Sequence, residues 1–143
     1  MPVLVRRSLT VSSPNPETMR GVAGECVKLV GEQYGRQLDW SMASLGELDD
    51  VCATLTADGP LGGQRLELWR DLVGAYAGEV TIRLYGGQWV SDERGLAISA
   101  LGITGFPFDT AHRILSGEPF KSLASFAHAV PAIAEHSRHQ ERA

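Results

Sequence analysis

The stretch from Leu61 to Trp89 limits the fold more than any other, because it carries apolar residues on two sides of one helix. At about 100° per residue, Leu66, Trp69, Val73, Tyr76, Ala77, Val80 and Leu84 recur at the three- and four-residue spacing of a single face, which predicts a helix over 64–85. Leu68, Leu72, Ala75 and Ile82 form a second stripe on the far side. A helix with one apolar stripe rests on a core; one with two has to be covered on both sides. Gly74 and Gly78 lie one turn apart between the stripes, and each costs about 0.5–1 kcal/mol against alanine in a helix interior. Close approach of another backbone would offset that cost. Gly86-Gly87 then stops the helix, glycine being free to take positive φ.

The segments before this helix are also helical. Asn15 is placed to cap a first helix with Pro16 at its first position, and Met19, Val22, Ala23, Cys26, Val27, Val30 and Tyr34 give its apolar stripe up to Gly35. Ser41 can cap a second helix carrying Leu45, Leu48, Cys52 and Leu55, closed by Asp58-Gly59-Pro60. After Gly87 the apolar period falls from 3.6 to 2. Residues 88–91 and 96–101 then read as a hairpin around Asp92-Glu93-Arg94-Gly95, with a third extended piece between Gly102 and Phe106-Pro107-Phe108. Asp109 is expected to cap a short helix ending at Gly117, and Ser122 to open a last helix that Pro131 kinks or breaks.

The expected architecture is therefore α+β: three N-terminal helices, a small antiparallel meander of about three strands, and two C-terminal helices. Residues 15–134 form one domain, 1–14 an arm of uncertain order and 135–143 a polar tail that frays. At 143 residues, 43% of them hydrophobic, the chain can bury a true core. Its formal net charge of −4, with basic residues scattered, argues against a nucleic-acid partner, since neutralising phosphates needs clustered Lys and Arg. No run approaches the 18 or so apolar residues of a membrane span, and no signal peptide is recognisable, so a cytoplasmic setting without membrane attachment is expected. Cys26 and Cys52 lie on apolar stripes and read as buried free thiols.

The run Gly78-Glu79-Val80, Arg83, Gly86-Gly87, Trp89, followed by Phe106-Pro107-Phe108 and Ser122-Leu123-Ala124-Ser125-Phe126, resembles a pattern found in small uncharacterised bacterial proteins. It covers the second half of the chain, with a weaker echo around Leu38-Asp39-Trp40-Ser41. The resemblance implies a single domain and no particular activity.

Glu79 is the anomaly of the sequence, because helical projection puts its carboxylate inside the second apolar stripe, where it must find a partner or be neutralised. Arg83, one turn later, makes the favourable i, i+4 order for a structural pair. The sharper reading has Glu79 and Arg83 face the hairpin as a site, with Trp89 as a pocket wall and His112 or Arg113 approaching from the short helix. Asp92 and Glu93 read as a solvated turn rather than as a second catalytic acid. His136 and His139, with Glu135 and a distant His128, are discounted as a metal cluster, because structural zinc needs four closed ligands and this tail offers flexible ones after the break at Pro131. No nucleophile elbow, metalloprotease motif or phosphate-binding loop is present, so no catalytic residue, cofactor or metal is assigned. The reading that follows is a small non-catalytic interaction or accessory module of regulatory or immunity type, meeting a protein partner or another copy of itself. The alternative is a small-ligand-binding protein or enzyme with a pocket around Glu79, Arg83, Trp89 and His112.

Overall fold

Local capping sets the first two helices. In the computed structural model, which describes residues 15–142, Asn15 Oδ1 accepts from the N–H groups of Glu17 (2.9 Å) and Thr18 (3.3 Å) and opens α1 (Pro16–Tyr34). Gly35 closes that helix in the left-handed region at φ 64°. Ser41 Oγ accepts from Ser44 N–H (3.2 Å) and opens α2 (Met42–Leu55). The long central helix α3 (Gly63–Tyr85) ends at Gly86, as its sequence requires. The N-terminal arm expected over 1–14 lies outside the described residues.

Three strands follow as a meander: β1 (Gln88–Asp92), β2 (Gly95–Ala100) and β3 (Ile103–Gly105), ordered β1-β2-β3 and antiparallel throughout. Trp89 stands opposite Ile98, and Ser99 opposite Thr104. Two helices complete the chain, α4 (Pro107–Leu115) and α5 (Leu123–Arg142). Over the described residues the fold is α+β, with three helices before a three-stranded antiparallel sheet and two after it.

The C-terminal third departs in detail from the sequence expectation. Pro107 is itself the first residue of α4, with Phe106 rather than Asp109 at the cap position. The proline ring supplies a helical φ and lacks the N–H that a first-turn residue would leave unsatisfied. Asp109 sits in the first turn and turns its carboxylate to Arg113 (3.0 Å). Ser122 Oγ does cap α5, accepting from Ser125 N–H (3.0 Å), but the helix runs on through Pro131 and takes in residues beyond Glu135.

The centre of α3 is buried on every side. All residues from Leu72 to Val80 are buried, with α1, α4 and β2 packed around them and α2 beneath. Both apolar stripes are covered over this central span, and Trp69 is buried one turn before it, but Leu68 and Leu84 near the two ends remain exposed. Gly74 and Gly78 admit aromatic rings. A Cβ on Gly78 would lie 2.2 Å from the Trp89 ring, and one on Gly74 2.4 Å from the Phe108 ring. Only at Gly74 does a neighbouring backbone also come close, with the Phe108 Cα at 3.0 Å. The two rings pack on each other with centroids 5.7 Å apart.

Polar groups inside this core are bonded. Tyr76 lies at the centre of α3, its hydroxyl 2.6 Å from Ser44 Oγ and accepting from Trp40 N–H at 2.8 Å. Burial pushes its phenol above the ordinary value, and the hydrogen bonds with Ser44 and from Trp40 N–H work against that. These bonds tie the loop between α1 and α2 to the central helix. Cys26 and Cys52 are free and buried, and burial raises the Cys26 thiol to about 12. Asp49 on α2 accepts from Leu123 N–H (2.7 Å) and Ala124 N–H (3.2 Å), fixing the start of α5 against α2.

Candidate functional site

The structure splits the five residues singled out in the sequence into three places. Glu79, Arg83 and Trp89 come together. Glu79, only 4% exposed, accepts a 2.8 Å hydrogen bond on Oε2 from Trp89 Nε1. Arg83 Nε stands at 4.0 Å from Oε1, and its guanidinium lies over the Trp40 ring, 4.0 Å from the centroid. The carboxylate that helical projection marks as anomalous is thus held mainly by an indole ten residues downstream, brought back by the turn at Gly86-Gly87. Trp89 is itself only 5% exposed and fills the notch left by Gly78. Gly78, Glu79 and Trp89 form an interlock between α3 and β1. Its polar atoms are satisfied among themselves, and it presents almost no surface to a ligand.

His112 lies elsewhere. It lines an open cavity of about 540 Å³ together with Asp109 and Phe108 of α4 and Phe106 just before it. Met19 and Val22 of α1, Arg70 and Asp71 of α3, Leu96 of β2 and Arg94 in the hairpin turn complete the wall. Glu79, Arg83 and Trp89 do not line it. Arg113 points away, ion-paired with Asp109 (3.0 Å) and Glu118 (3.4 Å). Phe108 is the partition between the two regions, one ring packing on Gly74 and Trp89 and also lining the cavity.

The cavity continues along the α1–α3 seam. A second hollow of about 350 Å³ shares Val22 and Asp71 with the first and runs on to Glu25, Leu29, Leu68 and Leu72. Together they make a groove with an apolar floor and a charged rim. On that rim Arg70 reaches Asp71 (3.1 Å) and Asp109 is held by Arg113. Arg94 lies over the Phe106 ring, 4.2 Å from the centroid, and its guanidinium has no hydrogen bond or ion pair among the described residues.

Apart from His112, the groove residues lack a sequence signal of their own. Met19 and Val22 read as members of the α1 core stripe, and Arg94 as part of a solvated turn. Phe106 and Phe108 stand out in sequence only as a strand end, because helix start and strand end both tolerate proline. The interlock is the better-marked region, since a charge inside an apolar stripe is visible in one helix while the groove needs α1, α3, β2 and α4 together.

None of the described helices is long and apolar enough to cross a membrane. No known protein family matches the chain, and neither a curated protein nor a solved structure matches it.

Proposed function

We propose that this protein is a non-catalytic interaction module, acting in the cytoplasm in an accessory or regulatory role, and that a protein partner docks in the groove between α1, α3 and α4. The observation that carries the reading is the groove's make-up: half-exposed Met19, Phe106 and Phe108 on the floor and arginines 70 and 94 on the rim. Aromatic residues, methionine and arginine are the residue types enriched where proteins meet. Asp109, the carboxylate one turn from His112, is engaged by Arg113 rather than by the imidazole. Two buried free thiols agree with a reducing compartment. A small-ligand or enzymatic site built from Glu79, Arg83, Trp89 and His112 has less support, because the first three are interlocked away from the cavity that His112 lines.

The test is co-purification from the host with tagged wild-type protein and three variants. Val22→Glu places a charge on the floor shared by both hollows, and Asp71→Arg reverses an exposed rim charge. Leu101→Glu alters an exposed apolar residue outside the groove and serves as control. A partner kept by wild type and Leu101→Glu and lost by both groove variants, at unchanged melting temperature of Asp71→Arg, is the expected result. The same set of proteins retained by all four chains would overturn the reading.

A further inference from the structure

The rim charges of the groove are uneven. Asp71 has Arg70 and Asp109 has Arg113, so these two carboxylates are already neutralised by local pairs. Glu25 at the seam end has no ion pair among the described residues, and at the wide end Arg94 is a cation that meets no carboxylate among them. Its guanidinium is held over Phe106, which fixes its position while leaving N–H donors for a planar acceptor. A carboxylate matches such a fork, its two oxygens facing two N–H donors. Beneath the cation, Phe106 and Phe108 offer ring faces to an apolar group.

The groove's length decides between a small acid and a polypeptide. Met19 at one end and Leu29 at the other lie ten residues apart on α1, roughly 15 Å at helical rise, which matches about four or five residues of extended chain. A small molecule would fill the wide end and leave the seam between Glu25, Leu29 and Leu68 empty. We infer that the groove receives the C-terminal segment of a partner polypeptide, its α-carboxylate on Arg94, its last side chain apolar and set against Phe106 and Phe108, and the preceding residues laid along the α1–α3 seam. This rests on the proposed protein-interaction role and specifies which part of the partner is recognised.

The measurement is titration of the full chain, labelled with nitrogen-15, with short synthetic peptides followed by NMR. The probes are a pentapeptide ending in phenylalanine with a free carboxylate, the same pentapeptide as its C-terminal amide, and free 3-phenylpropionate. The expected result is amide shifts at Met19, Val22, Leu29 and His112 with the free-carboxylate peptide, and binding weakened at least about tenfold for the amide, as loss of a charge-assisted bond implies. Phenylpropionate should shift the Phe106–His112 end alone and bind more weakly than the peptide. Arg94→Gln, a change on an exposed turn, should remove the preference for acid over amide.

Equal binding of acid and amide, an unchanged preference in Arg94→Gln, phenylpropionate binding as tightly as the peptide, or no shift with any probe would each overturn the inference. The co-purification comparison is independent of these outcomes. A partner lost by the groove variants while acid and amide bind alike would keep the interaction role and reject C-terminal recognition.

Discussion

The interlock of Gly78, Glu79 and Trp89 and the groove beneath Arg94 share the wall made by Phe108, yet they treat charge in opposite ways. In the interlock a carboxylate is taken out of water and immediately satisfied by an indole N–H, with an arginine nearby. At the groove an arginine is kept at the surface, placed over a ring and left without a carboxylate among the described residues. A buried charge with its bonds made stabilises one conformation, because removing either partner strands the other in a medium that cannot solvate it. An exposed charge without partners stabilises little and remains available. The residue that looks most out of place in the sequence is therefore the better explained by packing, and the conspicuous carboxylate is a poor guide to where something binds.

If that contrast is right, substitutions in the interlock should be read as lost stability and those on the groove rim should not. The largest effect is expected for Trp89→Ala. It removes a buried indole packed on Gly78 and Phe108 and strips Glu79 of its donor, so urea denaturation should show a loss of about 3–5 kcal/mol. A loss below about 1 kcal/mol would mean that the indole is not the carboxylate's main partner. Gly78→Ala comes next. Alanine is the better helix former, but its Cβ would sit 2.2 Å from a ring that is itself pinned against Phe108, so the clash outweighs propensity and about 1–3 kcal/mol should be lost. A more stable Gly78→Ala protein would show that Trp89 can move aside, and the interlock would then be looser than its geometry indicates.

Glu79→Gln is a finer probe, since it keeps one carbonyl oxygen for Trp89 Nε1. The new amide group must then face the Arg83 guanidinium, donor against donor, or turn over and face the indole N–H instead. Arg83 is 44% exposed and can move toward water, which limits the damage to about 1 kcal/mol in thermal or urea unfolding. A cost equal to that of Trp89→Ala would place the carboxylate's charge, rather than the indole's packing, at the centre of the interlock.

The same contrast explains what could be read from the sequence. Helix caps at Asn15 and Ser41, the stop at Gly86 and the change of period into the meander are decided by residues within a few positions of one another, and all appear in the structure where the sequence puts them. The start of α4 was misplaced because Phe106-Pro107-Phe108 satisfies the local rules of a strand end and of a helix start equally. The helix α5 continues through Pro131, where the local rule expects a kink or a break. Glu79 is recognisable in the sequence as a buried charge, but the sequence points to Arg83 as its partner, because the i, i+4 neighbour is visible and an indole returning across a turn is not. The groove is illegible for a stronger reason: α1, α3, β2 and α4 each contribute ordinary residues, and only their juxtaposition leaves a hollow whose arginine has no ion pair among the described residues.

The smallest expected effect is also the one on which the contrast turns. Arg94→Gln removes a cation–π contact at an exposed site, worth about 0.5–1 kcal/mol, and no ion pair among the described residues. Its cost in urea unfolding should therefore be no more than about 1 kcal/mol, below that of Trp89→Ala, and combining the two should give an additive loss, because the Trp89 side chain meets Gly78, Glu79 and Phe108 while that of Arg94 lies over Phe106, five residues on in the same hairpin. A cost for Arg94→Gln near that of Trp89→Ala would make this arginine a structural element of the hairpin. A strongly non-additive pair would show that Phe108 transmits strain from the interlock to the groove, so that whatever occupies the groove also bears on the packing of α3.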